Sequence, residues 1–226
     1  MIEAIRSAWR HTLPVMAGYV FLGVTFGFLL KAEGFPVWYP VLMSVVIYSG
    51  ALEFAAIPLL NAPFDPLGSF VMGLMISARH LFYGIPMLKK YEDAGALKFP
   101  LIYTLTDETF SVSAALAPPA GVEKKYFYAA ISLLDYSYWV AGTTVGALCG
   151  ELIRFDTTGI DFALTALFIV LFLEQTKTRE GRISGGIGLV SSALVLTLFG
   201  SEKMVLLSMA VILAVLLAAK GRISHE

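Results

Sequence analysis

The chain has 226 residues, 58% of them hydrophobic and 15% charged, with a net charge of −1 and a mean hydropathy of +0.77. Soluble domains carry about 25% charged residues, so there is too little polar surface to cover a water-soluble body, and the composition predicts an all-α, polytopic transmembrane bundle. The charge balance excludes a nucleic-acid binder, which would show a basic stripe. The single Cys149 fits no metal spacing and no internal disulfide, so no metal or other cofactor is expected.

Uncharged runs define about eight hydrophobic segments, near 13–31, 35–60, 66–88, 99–118, 126–150, 161–175, 183–200 and 204–220. Several approach the roughly 17–25 residues that a helix needs to cross a hydrocarbon core. The first follows a short arm carrying Arg6 and Arg10 and leads into further membrane segments, so it is read as retained rather than as a signal peptide. It contains a GxxxG pair, Gly23 and Gly27, and the fifth contains another, Gly142 and Gly146; both are expected to let helix backbones approach closely.

Four segments carry charge in their middle. Glu53 stands inside the otherwise uncharged stretch from Gly34 to Phe64, Arg79 and His80 split the third segment, Asp107 and Glu108 the fourth, and Asp135 the fifth. Prolines such as Pro58, Pro86, Pro118 and Pro119 also interrupt these stretches, and each frees backbone carbonyls that a bilayer tolerates only inside protein or beside a wet cavity. The aromatic groups at Trp38–Tyr39, 126–128 and 136–139 are expected mostly as interface anchors.

Lys and Arg cluster at Arg6/Arg10, Lys89/Lys90/Lys98, Lys124/Lys125, Lys177/Arg179/Arg182 and Lys220/Arg222, which marks cytoplasmic ends. Eight strictly alternating crossings put the second cluster on the wrong side. If one of segments two and three, and also segment four, enters and returns without crossing, every cluster lies inside, leaving seven to eight hydrophobic segments of which some are broken or re-entrant. A weak internal repeat pairs 22–27 with 141–146, and Met43, Ser44 and Glu53 with Leu164, Thr165 and Glu174. It divides one integral membrane domain, 1–226, into halves at about 14–120 and 126–220, an arrangement common in secondary transporters.

An ionisable residue at a helix centre costs about 2.5–3.5 kcal/mol on insertion scales, so these groups must be paired, protonated or wet. Arg79 either forms a buried ion pair with Asp107 or Glu108 or offers its planar fork to a substrate carboxylate. His80 is either a satisfied interior histidine or a proton relay. The acids Glu53, Asp107, Glu108 and Asp135 outnumber the single intramembrane arginine, which makes Glu53, His80, Asp107 and Glu108 candidates for proton coupling.

At these residues the sequence resembles a known family. The stretches 21–27, 44–54, 77–84, 106–110, 139–146 and 161–168 look like successive motifs of the AzlC family, the larger subunits of branched-chain amino acid exporters, with Arg79-His80-x-x-Tyr83-Gly84 followed by Thr106-Asp107-Glu108-x-Phe110 the most specific part. The resemblance covers about residues 14–175, with Glu53 where Gln is expected and Ser77 where Asn is expected. It implies a multi-pass permease of the cytoplasmic membrane that exports valine and similar amino acids and is joined by a small hydrophobic AzlD-type subunit; leucine, isoleucine and methionine are expected to overlap with valine in an apolar pocket, and protons or the membrane potential are the expected drive. Arg79, Asp107, Glu53, Ser44 and Gly50 are then the expected substrate-binding residues. The competing classes are an accessory subunit, and an intramembrane enzyme built on His80 with Asp107 or on Asp107 with Asp135.

Overall fold

A computed structural model describes residues 2–77, 79–152 and 179–200, together with positions 169, 172, 173, 176, 204, 207, 208, 210–212, 214, 215 and 218; the side chains of Arg79, Leu81, Phe82 and Glu180 lie outside that set. The stretch 161–168 and most of the last apolar segment, at 204–220, therefore fall outside the described residues. The chain forms two compact units, 1–157 and 158–226. The described residues are helical throughout, with no strand among them.

The first unit is organised by two long helices, α1 (Ile2–Ala32) and α8 (Lys124–Leu152). They run parallel, because contacts advance together along both chains: Gly23 meets Trp139 and Thr143, Gly27 meets Thr143 and Ala147, and Gly150 meets Phe28 and Lys31. The glycines are the reason the helices can approach. A Cβ on Gly23 would lie 2.9 Å from the Trp139 carbonyl and one on Gly142 would lie 2.9 Å from the Val20 carbonyl, while on Gly27 and Gly146 it would overlap the carbonyls of Thr143 and Val24. Contacts between backbones replace contacts between side chains, as GxxxG pairs allow. The expected packing role of Gly23, Gly27, Gly142 and Gly146 thus has a specific form: the two motifs pack on each other.

Three predicted segments are each two short helices. Segment two is α2 (Trp38–Val46) and α3 (Gly50–Asn61), segment three is α4 (Pro66–Ser77) and α5 (Arg79–Lys90), and segment four is α6 (Lys98–Tyr103) and α7 (Asp107–Ala115). At 1.5 Å per residue, α2 and α7 are about 14 Å long, roughly half a hydrocarbon core.

Contacts fix the direction of each piece. The start of α2 lies beside Lys31 and Glu151, at the far ends of α1 and α8, and its last carbonyls lie beside Tyr136, halfway along α8. From there α3 returns alongside α1, with Phe54 against Phe26 at 5.5 Å and the Asn61 amide donating to Glu33 at 2.7 Å. The pair α2–α3 is therefore a hairpin that enters from one end of the α1–α8 pair and goes back to it.

The pair α6–α7 does the same from the opposite end. Helix α6 leaves the basic loop at Lys98 and runs along the first half of α8, sharing a cavity with Ala129, Ser132, Leu133 and Tyr136. Helix α7 comes back parallel to α5: Tyr83 stacks on Phe110 at 4.7 Å, and the Lys90 ammonium donates to the carbonyls of Ser113, Ala114 and Leu116. The Lys124 ammonium donates to the Lys89 carbonyl at 2.9 Å, so the ends of α5 and α7 and the start of α8 meet at one level. A core of Ala4, Ala8, Met87, Tyr91, Phe127 and Ile131 closes this end.

Large apolar side chains such as Phe21, Phe70, Leu133 and Leu152 face outward, as a bilayer-embedded surface requires. The aromatics of α8 correct the anchor expectation: Phe127, Tyr128, Tyr138 and Trp139 are buried, whereas Trp38 is exposed. In the second unit, α9 (Arg179–Phe199) is the main described element. Its stretch Gly181–Phe199, like α1, is long and apolar enough to cross a membrane by itself.

Candidate functional site

The tips of the two hairpins meet midway along α1 and α8. Helix α2 stops where Tyr48 takes φ 45°, a left-handed conformation uncommon for a residue with a side chain. That break frees the carbonyls of Val45 and Val46. Tyr103, at the end of α6, donates its hydroxyl to both at 2.6 and 2.7 Å, and Tyr136 of α8 donates to Val45 at 2.9 Å. Two phenols thus do for the broken backbone what water cannot do inside a bilayer.

Helix α3 restarts at Ser49, whose backbone N–H donates to Glu53 Oε1 at 3.0 Å. The indole N–H of Trp139 donates to both carboxyl oxygens of Glu53 at 3.1 and 3.2 Å, and Glu53 is fully buried. The Trp139 ring lies over Gly50, where a Cβ would come within 2.9 Å of it. Ser44, also fully buried, donates to the Val41 carbonyl. Glu53, Gly50 and Ser44 therefore cluster around the α2–α3 break, with Glu53 acting as acceptor for the first turn of α3.

Helix α7 begins at the other tip. Thr106 is its N-cap and accepts the Thr109 N–H at 3.3 Å, a local solution for an orphan donor that a threonine before two acids signals in the sequence. The same hydroxyl joins a longer series: Tyr19 of α1 lies 2.5 Å from Thr106 and 2.7 Å from Glu108 Oε2, Thr106 lies 3.1 Å from Thr109, and Thr109 lies 2.8 Å from Asp135 Oδ2. Asp135 is fully buried and its Oδ1 makes no hydrogen bond. The Tyr48 hydroxyl stands near Tyr19, Thr109 and Asp135 and completes no bond of ordinary geometry.

Of the residues singled out from sequence, Asp107 and Glu108 occupy the first turn of α7 and Arg79 is the first residue of α5. The parallel register of α5 and α7 places the Arg79 backbone opposite the start of α7, while its side chain lies outside the described residues. The His80 ring is 3.0 Å from the Ser77 carbonyl through Nδ1 and, with Ser77, Met87 and Leu105, borders a largely apolar cavity of about 370 Å³. Tyr19, Tyr48, Thr106, Thr109 and Trp139 were not among the expected site residues. Apart from the cap signal at Thr106, their sequence contexts give no indication of the partners they find.

Beyond the apolar segments, burial and then the Lys124 charge push the Lys90 ammonium below the ordinary lysine range. It remains a fit cap for the negative end of α7, whose last carbonyls it collects.

Comparison with known proteins places these features. The family described as AzlC protein is matched over residues 14–153. The chain is 42% identical over 213 residues to the branched-chain amino acid transport protein AzlC of Bacillus subtilis, covering 94% of this chain and 84% of that protein. It is 38% identical over 220 residues to an uncharacterized membrane protein of Helicobacter pylori, covering 97% and 96%, and 26% identical over 183 residues to the inner membrane protein YgaZ of Escherichia coli, covering 76% and 73%. No solved structure matches.

Proposed function

Because the chain belongs to the AzlC family of membrane proteins, we propose that it is the larger subunit of a secondary transporter that exports branched-chain amino acids across the cytoplasmic membrane. The observation that carries this reading is the likeness to the Bacillus subtilis branched-chain amino acid transport protein over nearly the whole chain. The two opposed broken helices support it. Secondary transporters commonly bind substrate near mid-membrane at discontinuous helices, where half-helix N-termini and freed carbonyls face the ligand.

In this reading the starts of α3 and α7, with Arg79, receive the substrate carboxylate. Asp107, Glu53 or freed carbonyls meet the ammonium, Ser44 and Gly50 line the same site, and the side chain meets an apolar wall. One methylene in such a wall is worth about 1–3 kcal/mol, so valine, leucine, isoleucine and methionine overlap as substrates. The basic clusters Arg6/Arg10, Lys89/Lys90/Lys98 and Lys124/Lys125 face the cytoplasm. The pieces α1, α4–α5 and α8 cross, and α2–α3 and α6–α7 enter and return from opposite sides. A small hydrophobic AzlD-type subunit completes the carrier, protons or the membrane potential drive it, and the chain catalyses no covalent step.

The test is efflux of labelled valine from proteoliposomes holding the purified chain, with and without the small subunit, under an imposed pH gradient. Gradient-dependent efflux that competes with leucine and is lost in Arg79→Ala supports the reading. Efflux that survives Arg79→Ala assigns the conducting path to another chain.

A further inference from the structure

Five oxygen-bearing groups form one unbroken line through the junction of the hairpin tips: Glu108, Tyr19, Thr106, Thr109 and Asp135, joined by four contacts of 2.7, 2.5, 3.1 and 2.8 Å. Each contact needs one proton between its oxygens, because each is within ordinary O–H···O range or close to it. The three hydroxyls supply one proton apiece. If both carboxyls are ionised, Tyr19 must donate to Glu108 and Thr109 to Asp135, and the one proton of Thr106 fills either the 2.5 Å contact with Tyr19 or the 3.1 Å contact with Thr109, so that the other is left as two lone pairs facing each other. Three protons do not fill four links.

We propose that Glu108 and Asp135 share a single proton through this line, so that the pair is a proton-binding site with two end states. With the proton on Asp135, the donors run Asp135 to Thr109 to Thr106 to Tyr19 to Glu108. With it on Glu108, every link reverses and Thr109 donates to an ionised Asp135. Passage between the states moves each of four protons across one hydrogen bond; no other bond breaks and total charge is unchanged.

The two ends differ in access. Glu108 is part-exposed, whereas Asp135, Thr109 and Tyr19 are buried. The free Oδ1 of Asp135 is a second independent sign that this carboxyl serves more than its one bond to Thr109, since a buried polar atom without a partner is costly unless a function retains it. The titratable side chains that act on Asp135 are Glu108 from α7, Tyr48 at the α2–α3 break and Tyr138 on its own helix, and Tyr19 of α1 joins it through the line. The line ties α1, α7 and α8 to one protonation event, which a proton-coupled carrier requires; the inference deepens the transporter reading and in that respect rests on it.

Infrared difference spectroscopy of the purified full chain at neutral pH tests the shared proton without any transport assay. Tyr19→Phe and Thr106→Val each cut the line and leave both carboxyls in place; after the cut, the hydroxyls that remain suffice for two ionised acids. The expected result is loss of one protonated-carboxyl C=O band in both variants and its retention in Thr106→Ser, which keeps the hydroxyl and the α7 cap. A band unchanged by Tyr19→Phe and Thr106→Val would show that the proton belongs to one carboxyl by itself, and absence of any protonated-carboxyl band in the parent would show that both are ionised; either overturns the proposal. Proteoliposome efflux on the same variants separates the two readings: a band that behaves as expected, with efflux indifferent to the pH gradient, leaves the shared proton standing and removes proton coupling.

Discussion

The Lys90 ammonium donates to the Ser113 carbonyl at 2.5 Å, across 23 residues of sequence. With Ala114 and Leu116 also accepting from Lys90, and Tyr128 donating to Leu116 at 3.1 Å, the end of α7 is tied to α5 and α8 rather than left to solvent. Bonds from a charged donor contribute about 1.5–3 kcal/mol. Lys90→Met keeps most of the stem and removes the donor, and it is expected to lower the stability of the detergent-solubilised protein by about that amount, read as a lower melting temperature. Lys124→Met, which loses one exposed bond to Lys89, should cost less.

Gly27→Ala and Gly146→Ala should each destabilise the chain by at least the 1–3 kcal/mol or so typical of overpacking, because the added methyl meets backbone that no rotamer change can move. Gly18→Ala in the same helix meets nothing within 4 Å and should be neutral or stabilising, since alanine is the better helix former by about 1 kcal/mol. Thermal unfolding of the three variants checks this.

Glu53 accepts from both Ser49 N and Trp139 Nε1 through the same oxygen, Oε1. A glutamine can place its amide oxygen there and loses only the second acceptor, Oε2, 3.2 Å from the indole nitrogen, so Glu53→Gln is expected to fold at a smaller cost than Glu53→Ala. Glu53→Ala leaves two buried donors without an acceptor and should cost about 1–3 kcal/mol each. Trp139 fluorescence and melting curves report the difference. Because the glutamine variant keeps the fold, a change in its transport reports the exchange of the carboxyl for an amide rather than unfolding.

Burial pushes the Tyr91 hydroxyl from its ordinary 10.0 up to about 12. The folded state favours the neutral phenol, so this contribution is fully present below about pH 10 and is lost as pH rises towards 12. Tyr91→Phe cannot ionise. Its melting temperature should therefore fall less steeply than the parent's across that window and match it closely at neutral pH, in a thermal scan at stepped pH.

How much of this could be read from the sequence depends on the range of the interaction. The glycine pairs were legible because a four-residue spacing of small residues is a local signal. The basic clusters hinted that some segments, segment four among them, turn back without crossing, and the Lys90 and Lys124 bonds bring the ends of α5 and α7 and the start of α8 to one level. That segment two folds as a hairpin was not legible, because it rests on Asn61 meeting Glu33, a pairing of exposed polar residues 28 positions apart. Tyr19 and Thr106 are separated by 87 positions and Tyr103 and Val45 by 58. Nothing in a tyrosine's neighbours announces a distant carbonyl or hydroxyl, so Asp135 could be noticed as a buried acid but not placed in a line with Glu108.

The glycine seam between α1 and α8 also limits how the molecule can move. Packed helices ordinarily slide past one another by switching side-chain rotamers, and where backbone lies on backbone there are no rotamers to switch. Sliding by a single residue would replace glycine by leucine, valine, phenylalanine, threonine or alanine at the points of closest approach. The two helices therefore behave as a fixed axle. Rearrangement within this unit falls to the hairpins around it, whose tips are held by the Tyr103 and Tyr136 hydroxyls on the Val45 and Val46 carbonyls and by the hydroxyls of Tyr19 and Thr109 at Thr106, Glu108 and Asp135, bonds that can be exchanged one at a time.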